Sequence, residues 1–314
     1  MLRNYLLVTL RNLIRNKTIS LIHITGFGLG IAAFLFALQT VIFEFSFDNF
    51  HKSRDRIFNI PMTLVNQDGS QGHFLSSTPA LYHQIKAHMP EVQFVTRCMY
   101  QNNREPYCVV TYTEPNGKQK SFNELNARYV DEDFLKVFDF TLLQGSREDA
   151  LDGNSSLVVT QSIAQKYFGD ANPIGKVLEI TTGGPETRQT KFTYQVTAVL
   201  EDVPSNSSLQ FDILLPFQNF EENYNQDLTS IWYWPGFFTF IKTKDAEDPS
   251  SLKEKINLLI PKEEKERWAA MGKSFWFDVQ PLADLHLDSE KIDSRNPAIL
   301  TNSKSYTLII GLIG

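Results

Sequence analysis

From Thr18 to Phe43, 26 consecutive positions contain no Asp, Glu, Lys or Arg, and most of them are Ile, Leu, Phe, Val, Ala or Gly. A helix rises about 1.5 Å per residue, so this stretch is longer than the ~30 Å of hydrocarbon in a bilayer. The reading is a membrane span over residues 19–43. A cleaved secretory signal and a buried core helix are the alternatives. The signal is disfavoured because its apolar core would be shorter and end at small residues, whereas Phe45, Phe47 and Phe50 follow here.

The flanks of the run differ in charge. Arg3, Arg11, Arg15 and Lys17 precede it without an acid, and no basic residue follows until Lys52. Positive flanks stay on the cytoplasmic side, which places the amino terminus inside and the remainder outside, with the inner membrane as the expected location. Leu2, Leu6, Leu10, Leu13 and Ile14 recur at helical spacing among the arginines. Residues 1–18 therefore read as an amphipathic cytoplasmic segment in contact with membrane lipid, or as an ordinary positive flank that is helical. The net charge of the chain is −6, and past the first eighteen residues 26 basic residues face 36 acidic ones, so nucleic acid is not an expected partner.

At the other end Tyr306–Gly314 reads YTLIIGLIG. Residues 305–314 are expected to begin a second span, so that the chain is a fragment or an early stop; a short hydrophobic tail is the alternative.

Between the apolar runs, residues 44–304 carry enough apolar and aromatic residues for cores of their own, and read as an exported α+β domain. One strand–helix–strand pattern occurs twice. Ile57–Val65 leads to a helix opened by Thr78-Pro79, with Leu81, Ile85 and Met89 on one face, and then to a strand over Val92–Met99. Gly236–Thr243 leads to a helix opened by Asp248-Pro249, with Leu252, Ile256 and Leu259 on one face, and then to a strand over Phe275–Leu282. Segments 52–116 and 230–290 thus form a small α+β layer in which two helices cover one sheet face. Residues 117–222 are a mixed α/β insertion. Inside it, Asp131–Phe138 reads as a short helix and Ser156–Thr160 as a strand. Thr160 caps a helix burying Ile163, Ala164, Tyr167 and Phe168, and Phe192–Leu200 alternates as a half-buried strand.

GDANPIGKVL, from Gly169 to Leu178, invites a phosphate-loop reading. That loop requires four residues before its Gly-Lys pair and a Ser or Thr after it, between a strand and a helix. Here five residues intervene and Val177 follows Lys176, so the glycines read as turn chemistry. No cofactor is expected. The six histidines show no metal-ligand spacing and no nucleophile elbow occurs, so neither a metal site nor an enzyme is expected. Glu201-Asp202 and Glu221-Glu222 read as solvated strand ends.

Three further features have two readings each. Gly26 and Gly30 have the spacing that lets membrane helices pack closely, or are glycines tolerated in lipid. Cys98 and Cys108 flank a turn-like segment centred on Asn103; in a symmetric hairpin they would face each other as a disulfide, against two buried free thiols. Glu44, Asp48, His51 and Asp55 recur along one side of a segment with Phe43, Phe47 and Phe50 on another, which predicts a helix continuing rigidly out of the membrane as a stalk.

NLIRNKTISLIHITGFGLGIAAFLFAL, FEFSFDNFHKSRDRIFNI, VVTQSIAQKYFGDANPIGKVLEI, TAVLEDVPSNSSLQFDILLPF and PLADLHLDS, in this order, resemble the permease subunits of MacB-like and FtsX-like ABC transporters of Bacteroidetes type. The resemblance runs from Leu2 to Gly314. It implies four transmembrane helices, of which this chain holds the first and the start of the second, with a large periplasmic domain between them whose porter-like part, here 52–116 and 230–290, is split by an insert. It also implies a cytoplasmic ABC ATPase subunit as partner, a second permease copy, and periplasmic or outer-membrane envelope proteins. The expected function is mechanotransmission, in which ATP hydrolysis by the partner drives periplasmic rearrangement for efflux or substrate release. Phe43, Phe47 and Phe50 are the candidate coupling residues, and Gly26 and Gly30 the candidate helix-packing residues. The alternatives are a single-span sensor or binding module without transport and, less favoured, an anchored exported enzyme.

Overall fold

The structure, a computed structural model, describes residues 2–100, 108–182, 190–224, 227–288 and 299–313. It comprises two units: Met1–Ser46 with Asn302–Gly314, and Phe47–Thr301.

The first unit is helical. Helix α1 spans Leu2–Arg15 and α2 spans Lys17–Glu44, separated at Asn16, whose backbone leaves helical geometry at φ −108° and ψ 57°. Ser20 Oγ donates to the Leu13 carbonyl across the break. Helix α2 is apolar on all sides and leaves nearly all its side chains exposed, the composition of a helix whose solvent is lipid. Among the described residues it is the one helix long and apolar enough to cross a membrane. The closing helix of the chain, Lys304–Ile313, is ten residues long. It packs on α2 so closely that a β-carbon at Gly311 would stand 3.1 Å from Val41 Cγ2. Around Gly26 and Gly30, by contrast, nothing lies within 4 Å of a β-carbon position, so the contact within this unit is made elsewhere than at the expected glycines.

In the second unit the strands are β1 (Ile57–Asn59), β2 (Met62–Val65), β3 (Gln71–Phe74), β4 (Val92–Tyr100), β5 (Cys108–Thr113), β6 (Gln119–Asn123), β7 (Ala127–Val130), β8 (Leu142–Gln144), β9 (Ser156–Thr160), β10 (Val177–Thr182), β11 (Thr190–Leu200), β12 (Ile213–Pro216), β13 (Phe238–Thr243), β14 (Ser274–Phe277) and β15 (Gln280–Pro281). The helices are α3 (Pro79–His88), α4 (Phe134–Val137), α5 (Gln161–Phe168), α6 (Phe217–Tyr224), α7 (Pro249–Leu258), α8 (Lys262–Ala270) and α9 (Leu282–Leu285). One long mixed sheet runs in the order β15-β1-β13-β4-β7-β12-β9-β11-β10-β5-β6, with β8 added beside β11; β14-β2-β3 form a second, small sheet. The chain leaves the large sheet for β2 and β3 after Asn59, rejoins it at β4, visits the small sheet again at β14 and returns after Phe277, where Asp278 N–H donates to the Pro61 carbonyl.

The porter-like layer is present. Helices α3 and α7 lay Leu81, Ile85, Leu252 and Ile256 over Phe58, Val95 and Ile241, one apolar core beneath two helices. The opposite face of these strands packs on the phenylalanines around α4, namely Phe134, Phe138 and Phe140, together with Phe211. Strand β5, expected within the porter-like segment 52–116, pairs instead with β10 and β6, and with the insertion it builds another core from Val110, Leu157, Tyr167, Ile180, Tyr194 and Val196 among others. Strand β11 exposes Thr193 and Gln195 and buries Tyr194 and Val196, the predicted alternation.

Local chemistry refines several expectations. Helix α5 starts after Thr160, but Thr160 makes no capping bond; Asp202 accepts from the N–H and Oγ of Ser162 instead. Asp202 is therefore a helix cap and not a free strand end. Gly169 at φ 60° ends the helix and Gly175 at φ 82° turns the chain into β10, so GDANPIGKVL is a helix stop and a turn. Cys98 on β4 and Cys108 on β5 are buried free thiols. Their strands do not pair: β4 lies between β13 and β7, and β5 between β10 and β6. The symmetric hairpin is thus overturned by long-range pairing, and its turn around Asn103 lies outside the described residues.

Candidate functional site

The stalk expectation is overturned. Helix α2 ends at Glu44, residues 45–50 form turns, and Asp48 takes the left-handed conformation at φ 57°, which a continuing helix cannot contain. Phe43 remains on α2, whereas Phe47 and Phe50 leave the stripe altogether. Phe47 is buried, with its ring stacked on His286 at 3.3 Å between centroids and 3° between planes. Phe50 packs into the core against Phe140. The physical reason is that the Phe47 and Phe50 rings gain more by entering a nearby core than by lining a solvated helix.

Asp48 is held as firmly as the rings beside it. Its N–H donates to the Asn206 carbonyl at 2.9 Å, and its Oδ1 accepts the Ser208 N–H at 2.9 Å. Ser207 Oγ lies 3.4 Å from the same oxygen, but its single proton has the shorter partner, Leu209 O at 2.9 Å. The carboxylate is 1% exposed and its Oδ2 has no hydrogen-bond partner. Burial accordingly raises its pKa, against the lowering influence of Ser208, the His286 ring and Ser207.

The outgoing chain meets the same turn. Leu300 N–H donates to the Ser208 carbonyl at 2.9 Å, Ile299 bridges Leu209, and the Leu300 carbonyl lies 2.8 Å from His286 Nδ1, which must therefore donate. The turn at 206–209 thus grips the segment by which the chain enters this unit and the segment by which it leaves. In the first unit, Asn302 Nδ2 donates to Glu44 Oε2 at 2.9 Å, tying the end of α2 to the residues just before the closing helix.

His51 continues the entry segment inward. Its Nδ1 accepts the Asp139 N–H at 2.9 Å, so a neutral ring carries its proton on Nε2. The ring lies among Phe50, Phe138 and Phe140. Burial pushes its pKa down to about 4, with Lys242 and Arg147 adding to the effect and Asp139 opposing it. Those two cations occupy the carbonyl end of α4: Lys242 donates to Lys136 and Val137, and Arg147 to Leu135, Phe138 and Phe140.

Three of the stretches that carried the resemblance, FEFSFDNFHKSRDRIFNI, TAVLEDVPSNSSLQFDILLPF and PLADLHLDS, therefore converge through Phe47, Asp48, Ser208 and His286. Sequence reading picked out Phe47 and Phe50 but for the wrong geometry, and missed Ser207, Ser208 and His286. The Asn-Ser-Ser run after Pro204 was the available signal, since it supplies turn hydroxyls and amides. Nothing in this cluster pairs a nucleophile with a base. The arrangement ties the entering segment, one turn of the unit and the leaving segment to one another.

An α+β unit that follows a membrane-length helix is the plan of a membrane-anchored protein. Residues 20–259 match the MacB-like periplasmic core domain, and the chain belongs to that family. Its fold is similar to a domain of a "putative permease protein" from Porphyromonas gingivalis, at 21% identity and TM-score 0.56, covering 74% of this chain and 91% of that one. Weaker likenesses are the periplasmic region of MacB from Actinobacillus actinomycetemcomitans (15% identity, TM-score 0.41, 71% and 88% covered) and the extracellular domain of the noncanonic ABC-type transporter YknZ from Gram-positive bacteria (13%, 0.41, 71% and 99%). No curated protein matches the sequence.

Proposed function

We propose that the chain acts as a permease subunit that couples ATP hydrolysis by a cytoplasmic ABC ATPase subunit to rearrangement of its own periplasmic unit, for efflux or substrate release. The amino terminus lies in the cytoplasm, α2 crosses the inner membrane, and residues 47–301 face the periplasm. Catalysis belongs to the partner.

The observation that carries this reading is the grip of the 206–209 turn on both Asp48 and Leu300. A flexible tether would suffice for a passive anchored binding module. A buried carboxylate in a left-handed conformation, bonded to the same residue as the outgoing chain, suits a device that passes force. Phe47 and Phe50 then serve as buried anchors, and Phe43 as the last ring on the helix. The face of α2 carrying Gly26 and Gly30 is assigned to a further membrane helix, in the assembled transporter or in a second permease copy. Envelope proteins would be engaged by the periplasmic unit.

The reading is tested by co-expressing the tagged chain in membranes with ABC ATPases of its own genome. One should co-purify, and Asp48→Ala should lower the stimulation of its ATPase by the permease several-fold while leaving the pair associated. If no ATPase associates, or if stimulation survives the substitution, the coupling role is refuted.

A further inference from the structure

Arg97 lies on β4 in the porter-like layer, and its side chain is 2% exposed. A guanidinium cannot be neutralised at such a site, so its charge must be met by fixed partners. Nε and Nη2 donate to the two oxygens of Asp131 at 3.0 and 2.8 Å, a bidentate pair. The guanidinium carbon lies over two rings, 4.1 Å from the Tyr82 centroid and 3.8 Å from the Phe217 centroid. Nη1 stands 3.0 Å from Glu221 Oε1 but without hydrogen-bond geometry, and Glu221 is 33% exposed. Glu221 thus lies on a helix beside a buried charge and not at a solvated strand end.

The origin of these groups is what matters. Arg97 and Tyr82 belong to the porter-like layer, on β4 and α3. Asp131, Phe217 and Glu221 belong to the insertion, at the end of β7 and on α6. Across this border β4 and β7 pair at three positions, Cys98↔Val130, Met99↔Tyr129 and Tyr100↔Arg128. At the next position the ladder changes character: the Arg97 N–H goes to the Asp131 side chain at 2.6 Å, while Asp131 N–H approaches the Arg97 carbonyl at 3.4 Å. A cleft of about 450 Å³ opens beside the pair, with Lys86, Glu132 and Asp152 on its walls. So the border consists here of a short ladder, an open cleft, and one arginine seated in a socket made by the other side.

We infer that Arg97 is a locking pin which fixes the cleft side of the border between the porter-like layer and the insertion, with Asp131 and Phe217 as the permanent socket and Glu221 as its solvent-exchangeable wall. On the opposite sheet face the two already share the phenylalanine core around α4, so the pin acts at the cleft, where the β4–β7 ladder has ended. The inference concerns the periplasmic unit alone and holds whether or not an ATPase drives it.

Hydrogen exchange of the full chain in lipid nanodiscs tests this. Arg97→Met should raise exchange at least tenfold at amides of residues 127–131 and 213–224, while β10 and β11, deep in the insertion, stay unchanged. Asp131→Asn should reproduce that pattern, and decides the matter if Arg97→Met yields no folded protein. Glu221→Gln should change the same amides less than twofold. Unchanged exchange at the border, or an equal rise in β10 and β11, would overturn the pin. An effect of Glu221→Gln as large as that of Asp131→Asn would overturn the division of the socket.

Discussion

Asp48 and Ser208, 160 positions apart, are joined by a 2.9 Å bond from the serine amide to the carboxylate Oδ1, and the carbonyl of the same serine takes the amide of Leu300. The aspartate satisfies two demands at once, an acceptor for a buried N–H and a backbone at φ 57°. Asn meets both, since it tolerates the left-handed region and presents an oxygen, so Asp48→Asn should change stability by less than about 1 kcal/mol. Val meets neither, and Asp48→Val should cost about 2–4 kcal/mol from the orphaned amide and the strained backbone. Denaturant unfolding checks the order. Burial raises this carboxyl above its 3.8 reference, so its stabilising contribution is complete below 3.8 and is lost as pH rises through the folded value. Asp48→Asn should flatten the stability profile in that window.

His51 works in the other direction. Its pKa falls from 6.5 to about 4 on folding, so between those values the unfolded chain binds more protons than the folded one. Stability is expected to be full above pH 6.5 and to fall as the medium is acidified toward pH 4, by up to about 3 kcal/mol from this ring. His51→Gln should remove most of that acid sensitivity at some cost near neutrality. An unchanged slope between pH 6.5 and 4 would show that the ring is hydrated.

Elements with strong local periodicity were legible in the sequence. Strand β9 and helix α5 lie where Ser156–Thr160 and the Ile163, Ala164, Tyr167, Phe168 face placed them, because burial there follows from spacing alone. The membrane-length helix needed only the absence of charge. The region after it was misread for the same reason: Glu44, Asp48, His51 and Asp55 mimic a helical stripe, and no local signal reports that Asp48 turns left-handed onto a serine amide 160 residues away. Arg97 is one of three polar residues in the strand VQFVTRCMY, and its socket is assembled from residues that include Asp131 and Glu221, 34 and 124 positions later. Pairing across such distances also separated Cys98 from Cys108.

The thiols offer a direct check on that separation. Burial pushes both pKa values up to about 12, so neither is a thiolate at neutral pH and neither faces the other across a ladder. Both should resist maleimide in the folded chain and react after denaturation. Mobility on a gel should be the same with and without reductant. Rapid labelling of either thiol, or a reductant-dependent shift, would contradict the burial or the pairing.

Gly145 and Arg147 link the packing of the sheet to the environment of His51. Gly145 follows β8 at φ 94°, and a β-carbon there would strike the Thr197 carbonyl and stand 2.9 Å from Ala198 Cα on β11. Both objections apply to alanine, so Gly145→Ala should cost about 2–5 kcal/mol. Two residues on, Arg147 holds three carbonyls of the α4 region and helps to keep the nearby His51 neutral. Replacing Arg147 by Gln removes one of the two cations that disfavour the protonated ring. The His51 pKa should then rise from about 4, narrowing the pH window over which acid destabilises the unit. Ring-proton titration by NMR reads this directly. A His51 pKa that stays put would mean that Arg147 acts only as a brace for the carbonyls.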